Sequence, residues 1–223
     1  MSQLAGMRAV TFDVGSTLIE VWPSVGHVYA EVAAAHGHTG FPPAELNRRF
    51  RAALRAHGKA VNTKPEWARI VASSFTGLSP APVSQEVFPE LYDRFAQPSA
   101  WRVFDDVEST LSALRQRGLK LGVISNWDDR LRPLLRALGL AGWFEVIVVS
   151  CEVGASKPER AIFETAVRQL GVPARTILHV GDNFKMDVAG ANAAGLRGVQ
   201  VDRQASPLGE AQIGSLGELL QPR

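Results

Sequence analysis

The chain has 223 residues, of which 46% are hydrophobic and 21% are charged, and its formal net charge is +2. This length can hold one large domain, or a core domain with a smaller insertion, and the composition is ordinary for a globular protein. The near-neutral charge, with basic residues spread along the chain, gives no indication of nucleic-acid binding.

The sequence favours a cytoplasmic location. No stretch approaches the ~18 apolar residues that a membrane span needs. The N-terminal residues do not show the basic segment and apolar run of a secretory signal. Cys151 is the single cysteine, which excludes an internal disulfide framework and suits a reducing compartment. We therefore expect a cytoplasmic protein that binds neither membranes nor nucleic acid.

The first predicted element is a strand at Ala9–Phe12, a short apolar run that ends directly before Asp13. Open α/β sheets hold their chemistry at the carboxyl ends of parallel strands. Asp13 is therefore the first candidate catalytic residue.

Residues 24–95 show four successive helical stripes and no convincing strand. The apolar positions of the stripes are Val25, Val28, Tyr29 and Val32; Leu46, Phe50, Ala53 and Leu54; Trp67, Ile70, Val71 and Phe75; and Val87, Leu91, Tyr92 and Phe95. Glycine- and proline-containing loops separate them. This pattern predicts an all-helical cap subdomain at residues 21–99, inserted after the first strand.

From about residue 105 onward the chain alternates strands and helices. Buried strands are predicted at the following ranges: 120–125, 144–150, 176–180 and 196–201. Repeated βα units of this length imply right-handed crossovers and a parallel sheet. The predicted fold class is thus α/β, a Rossmann-like doubly wound parallel sheet formed by residues 1–20 and 100–223. A short helix is expected at Leu216–Leu220.

Further polar residues follow the later strands. They are Ser125, Lys157, Asp182 and Asp187. In a doubly wound sheet the strand ends converge, so these side chains are expected to meet Asp13 in one crevice. Two carboxylates can hold a hard cation such as Mg²⁺, and an aspartate can act as a covalent nucleophile in phosphoryl transfer. Taken singly, each residue is explained more readily by helix capping or turn chemistry than by a catalytic role.

In this order, the polar residues and their neighbours resemble the four motifs of the haloacid dehalogenase-like hydrolase superfamily, in its capped form. The matching motifs are Asp13-x-x-x-Thr17-Leu18, Ile124-Ser125-Asn126, Lys157-Pro158 and Gly181-Asp182-Asn183-x-x-x-Asp187. Finer details are similar to the haloacid dehalogenase-like hydrolase domain-containing protein 3 subgroup. These details are Ser125-Asn126-Trp127-Asp128 and His179-Val180-Gly181-Asp182-Asn183.

The resemblance implies a magnesium-dependent hydrolase of the phosphatase type. Asp13 would be the nucleophile that forms an aspartyl-phosphate. Mg²⁺ would be held by Asp13, by the main-chain carbonyl of Gly15 and by Asp182. The expected substrate is a small phosphorylated molecule, and the expected assembly is a monomer or a weak homodimer.

The same resemblance implies roles for the remaining motif residues. Thr17 and Asn126 would bind the phosphate, together with Ser125, which would also assist catalysis. Lys157 would pair with the nucleophile. Asp187 would orient Lys157 or a metal-bound water.

Gly15 departs from the pattern, because phosphatases of the superfamily usually carry Asp there as general acid and base. Such a loss typically costs roughly 10²–10⁴-fold in rate. Alternatives therefore stay open: a weak or inactive protein that binds a phosphate ligand, or, less favoured, a dehalogenase or a phosphonate-cleaving hydrolase. His179 lies mid-strand and is interpreted as a satisfied core residue.

Overall fold

The computed structural model describes residues 3–78, 83–204 and 212–221. The strands are β1 (Ala9–Phe12), β2 (Ile19–Val21), β3 (Trp101–Val103), β4 (Lys120–Ser125), β5 (Val146–Val149), β6 (Ile177–Gly181), β7 (Arg197–Val201) and β8 (Gln212–Ile213). The α-helices are α1 (Val25–Ala35), α2 (Pro43–His57), α3 (Lys64–Phe75), α4 (Val83–Arg94), α5 (Val107–Gln116), α6 (Leu131–Ala137), α7 (Ser150–Val153), α8 (Arg160–Leu170) and α9 (Gly190–Ala193).

The chain forms two compact units. One comprises the residues up to Ile19 and those from Val103 onward, and the other comprises Glu20–Arg102. We call them the sheet unit and the helical unit. Within the described residues, no helix combines the length and the apolar character that crossing a membrane requires.

The sheet unit is built on six strands in the order β5-β4-β1-β6-β7-β8. Every neighbouring pair is parallel, and β1 is central. Its four residues are buried, as expected for a parallel strand covered on both faces. The predicted α/β fold class is confirmed.

Strand positions follow the sequence pattern to within one residue, except that β5 is clearly shorter than predicted. β4 covers the predicted residues 120–125, whereas the strand expected at 144–150 is only Val146–Val149. Ser150 already begins α7, and its hydroxyl bonds the backbone of Trp127. The helix expected near the end of the described chain is a 3₁₀ helix at Leu216–Leu220.

The helical unit contains α1 to α4, one for each predicted stripe. Tyr29 lies at its core and stacks on Phe75 with ring centroids 5.7 Å apart. A capping box between Thr63 and Glu66 starts α3. The pairing of β2 with β3 was not predicted, because three residues are too few to show a strand periodicity.

A π-helical segment, Phe184–Ala189, lies against β6 and β7. Glycines permit this close approach. A Cβ added to Gly181 would overlap the carboxyl group of Asp187, and one added to Gly198 would lie 2.6 Å from the Val188 carbonyl oxygen. The two glycines therefore set the position of Asp187 relative to the sheet.

Replacing Gly198 with alanine should destabilise the protein by about 1–3 kcal/mol, because the methyl group would collide with backbone that cannot rotate away. Urea unfolding followed by circular dichroism measures the change. Gly142→Ala is the matched control, since a Cβ there meets nothing within 4 Å. Equal midpoints for the two variants would contradict the proposed close approach.

Candidate active site

Three polar residues meet at the carboxyl edge of the sheet because β1 lies between β4 and β6. Asp13 follows β1, Ser125 ends β4, and Asp182 follows β6. The Ser125 hydroxyl donates a hydrogen bond to Oδ1 of Asp13 over 2.9 Å. The convergence expected from the strand pattern is thus present in the structure.

Lys157 carries a buried positive charge between two carboxylates. Its Nζ lies 2.6 Å from Oδ1 of Asp13 and 2.6 Å from Oδ1 of Asp187. Burial by itself lowers the pKa of Lys157, but the two negative charges outweigh it, and the pKa is raised above its ordinary value. The ammonium group therefore stays protonated beside Asp13.

Asn126 holds the backbone of Lys157. The Lys157 N–H donates to Oδ1 of Asn126 over 2.7 Å, and Nδ2 of Asn126 donates to the Lys157 carbonyl over 3.0 Å. These two hydrogen bonds fix the backbone of Lys157, which lies outside the helices and strands. The expectation that Asn126 also contacts the phosphate stays a prediction.

Asp187 is fully enclosed and has three donors around its carboxylate. Lys157 and the ring of His179 reach Oδ1, and the backbone N–H of Asn183 donates to Oδ2 over 3.0 Å. Burial works to raise the pKa of Asp187, but the Lys157 charge and the His179 contact hold it well below the usual range. Asp187 is therefore ionised.

His179 is buried completely, and both ring nitrogens have partners. Nδ1 lies 3.0 Å from the hydroxyl of Thr11, and Nε2 lies 3.2 Å from Oδ1 of Asp187. Burial, the largest effect, lowers the pKa of His179. His179 is a core residue with hydrogen-bond partners, as expected. One of these partners, Asp187, belongs to the site, and the sequence did not show this contact.

The carboxylates of Asp13, Asp182 and Asp187 each offer an oxygen within 4.8 Å of the others. Burial and the charges of Asp13 and Asp187 raise the pKa of Asp182 from 3.8 to about 7. One lysine cannot neutralise three carboxylates, so the site carries excess negative charge. This donor set fits a hard divalent cation.

The loop after β1 forms a tight turn around Val14, whose carbonyl accepts hydrogen bonds from three following backbone N–H groups. Ser16 has a positive φ of 59°. A Cβ added to Gly15 would lie 3.5 Å from Cζ3 of Trp127, which is an ordinary contact. Gly15 thus lies beside an aromatic ring and has room for a side chain.

Arg203 fixes the end of this loop, a contact that the sequence did not reveal. Its guanidinium donates to both carboxylate oxygens of Asp106 at 3.0 Å and to the Thr17 carbonyl at 2.8 Å. It also lies 3.8 Å over the ring of Phe104. The Thr17 hydroxyl is buried and has no hydrogen-bond partner among the described residues, so its expected contact with the phosphate stays a prediction.

The structure gathers most of the predicted site residues into one network. The residues joined by hydrogen bonds are Asp13, Ser125, Asn126, Lys157 and Asp187. Asp182 joins them through carboxylate proximity. The sequence did contain a signal for the missed residues, because Thr11 and His179 are polar residues inside buried strands and each needs a partner there.

Comparisons with known proteins identify relatives of this chain. Residues 7–195 match a family model described as haloacid dehalogenase-like hydrolase. The chain is 34% identical over 207 residues to haloacid dehalogenase-like hydrolase domain-containing protein 3 of Mus musculus, covering 88% of this chain and 82% of that protein. It is 33% identical over 180 residues to phosphoserine phosphatase of Thermus thermophilus, covering 77% and 62%.

Among solved structures, the chain is similar to a HAD phosphatase from Thermococcus onnurineus. The TM-score is 0.68 at 26% identity, and the alignment covers 96% of each chain. The predicted resemblance to the superfamily and to the domain-containing protein 3 subgroup is confirmed.

The raised pKa of Asp182 predicts that, in the absence of divalent cations, the stability difference between wild type and Asp182→Asn depends on pH. A carboxyl whose pKa rises on folding, here from 3.8 to about 7, stabilises the folded state at low pH. This contribution is lost as the pH rises from 3.8 to about 7, and it does not change further at higher pH. Asp182→Asn should therefore gain stability relative to wild type between pH 5 and pH 8, on the order of 3 kcal/mol.

Urea unfolding at several pH values measures this difference. Asp129→Asn, which removes an exposed carboxylate of the same unit, is the control for loss of a carboxyl group. A stability difference for Asp182→Asn that does not change with pH would show that its carboxyl is not perturbed.

Proposed function

The chain belongs to the haloacid dehalogenase-like hydrolase family, and on that premise we propose that it is a Mg²⁺-dependent phosphatase that acts through an aspartyl-phosphate. The observation that carries the proposal is the environment of Asp13. Ser125 and Lys157 both donate to Oδ1 of Asp13. The second carboxylate oxygen is the one left to attack phosphorus.

In the proposed first step, the Asp13 oxygen forms a bond to phosphorus while the bond from phosphorus to the leaving oxygen breaks. Lys157 and Ser125 stabilise the negative charge of the transferring group. Water then attacks the aspartyl-phosphate, releases inorganic phosphate and restores Asp13.

Asp13, Asp182 and the Gly15 carbonyl would hold Mg²⁺. When bound, the cation would neutralise part of the phosphate charge. Oδ1 of Asp187 lies 2.6 Å from Nζ of Lys157. Asp187 would thus hold the Lys157 ammonium group in position.

Gly15 limits which substrates this site can hydrolyse. Glycine offers no carboxyl group to protonate the leaving oxygen, so the leaving group must depart as a weak base. We propose that acyl and aryl phosphates are turned over faster than alkyl phosphates. The same feature supports a second candidate function, a protein that holds a phosphorylated ligand without hydrolysing it.

Two other reactions of the superfamily have less support here. Dehalogenation requires no cation, yet this chain keeps three clustered carboxylates. Phosphonate cleavage would need a lysine of the helical unit as imine former. Lys59 is paired with Glu66 at 3.0 Å, and Lys64 lies 4.5 Å from the centre of the Tyr92 ring.

The remaining expectations are kept as proposals. We propose that residues 21–99 act as a substrate-selecting cap, that the protein is cytoplasmic, and that it is a monomer or weak homodimer acting on a small phosphorylated molecule.

Asp13→Asn should abolish phosphate release from p-nitrophenyl phosphate and acetyl phosphate, with a loss of about 10³-fold or more, because the amide is not a nucleophile. Release by the wild type should require Mg²⁺. Asp93→Asn, an exposed change in α4, is the control and should retain full activity. Phosphate binding by the wild type without any release would instead support the ligand-holding function.

Gly15→Asp should raise kcat/KM for alkyl phosphates by at least about tenfold and change aryl phosphates less, because it restores a proton donor. The backbone at Gly15 does not require a left-handed conformation, and the new Cβ makes only an ordinary contact with Trp127.

Gly15→Asn is the matched control for this substitution, since it has the same shape without an acid. Equal wild-type rates across a series of leaving groups, or equal gains for Gly15→Asp and Gly15→Asn, would contradict the assigned role of Gly15.

A further inference from the structure

Thr11 and His179 form a buried polar pair beneath the candidate active site. They lie directly opposite each other in the parallel strands β1 and β6, and both are fully buried. The ring of His179 packs edge-on against Phe163 with centroids 5.4 Å apart and an interplanar angle of 84°. Such a pair is costly inside a sheet unless each polar atom has a partner.

The contacts of this pair define where the ring proton lies. Nε2 of His179 lies 3.2 Å from Oδ1 of Asp187, an ionised carboxylate that can only accept a hydrogen bond, which favours the ring proton on Nε2. Nδ1 is then the acceptor for the Thr11 hydroxyl at 3.0 Å, a shorter contact than the 3.5 Å to the Leu178 carbonyl. The opposite tautomer would point a nitrogen lone pair at a carboxylate oxygen.

His179 in turn fixes the rotation of the Asp187 carboxylate. Oδ1 accepts from His179 and from Lys157, while Oδ2 accepts from the Asn183 N–H. The chain of contacts then continues from Lys157 to Asp13 at 2.6 Å. Every link between Thr11 and Lys157 is at least 95% buried, so water offers no substitute partner.

We propose that Thr11 and His179 are positioning residues for the reaction. Through a single ring tautomer they orient Asp187, and Asp187 places the Lys157 ammonium against Asp13. This inference rests on the proposed phosphatase function for its kinetic consequences, but its structural content does not depend on turnover.

As positioning residues, Thr11 and His179 do not contact the substrate. Their loss should therefore lower kcat and leave KM almost unchanged, because the ground-state contacts of the substrate persist. Loss of a group that orients a metal ligand typically lowers activity about 10–100-fold, and we expect an effect of similar size here.

The first test is the ring tautomer of His179 in the intact wild-type chain, by long-range ¹H–¹⁵N correlation spectroscopy. His179→Gln assigns the signal among the five histidines of the sequence. The expected result is a neutral ring protonated on Nε2. A ring protonated on Nδ1 would overturn the proposal, and this measurement does not require any other variant to fold.

The second test compares three threonine substitutions. Thr11→Val keeps the shape and removes the hydroxyl, and Thr11→Ser restores it. Thr110→Val removes another buried hydroxyl, one with no hydrogen-bond partner in the part of the chain that the structure describes. We expect Thr11→Val to lower kcat at least about tenfold at unchanged KM, with Thr11→Ser and Thr110→Val near wild type. Wild-type kcat in Thr11→Val would overturn the positioning role.

A readout without turnover separates this proposal from the proposed function. The ¹⁵N resonance of the buried Lys157 ammonium should shift in Thr11→Val and stay in place in Thr110→Val. If wild type releases no phosphate while this shift occurs, the phosphatase function fails and the positioning network stands. If wild type is active and the resonance does not move in Thr11→Val, the positioning network fails alone.

Discussion

The buried ammonium of Lys157 is the interaction on which the site depends. An isolated charge removed from water is strongly destabilising, and it is tolerated here because two carboxylates lie 2.6 Å away. The lysine and its two carboxylate partners come from three distant stretches of chain, so the ion cluster also ties β1 to the segment after β6. The amide of Asn126 fixes the lysine backbone from a fourth stretch. Loss of either carboxylate would leave the lysine short of a partner.

The charges around Lys157 influence the protonation of the neighbouring carboxylates. Asp187 is held ionised, whereas the pKa of Asp182 is raised to about 7 by burial and by its two acidic neighbours. Carboxylates placed within 4.8 Å of one another therefore differ in protonation. Asp187 is paired with Lys157, whereas the raised pKa of Asp182 indicates a carboxylate that a bound cation or a proton would stabilise.

In the proposed phosphatase, Gly15 leaves the nucleophile Asp13 without the proton donor that usually accompanies it. Asp13 is held by Ser125 and Lys157, whereas the neighbouring loop presents only backbone at Gly15, beside the ring of Trp127. Arg203 anchors the end of the same loop at the Thr17 carbonyl. Contacts of the backbone and of Arg203 thus hold the loop without a carboxyl group at Gly15, and selection among substrates by their leaving groups is the proposed consequence.

The sequence by itself determined the α/β class and the meeting of Asp13, Ser125 and Asp182. Apolar runs mark buried parallel strands, and parallel strands bring their carboxyl ends to one edge. Only the tertiary structure showed that Thr11 and His179 face each other across β1 and β6. It alone showed the contacts of Asn126 with Lys157 and of Arg203 with Thr17. Such contacts depend on strand register, side-chain rotamers and loop paths, which follow from packing of the whole chain and leave no periodic signal along it.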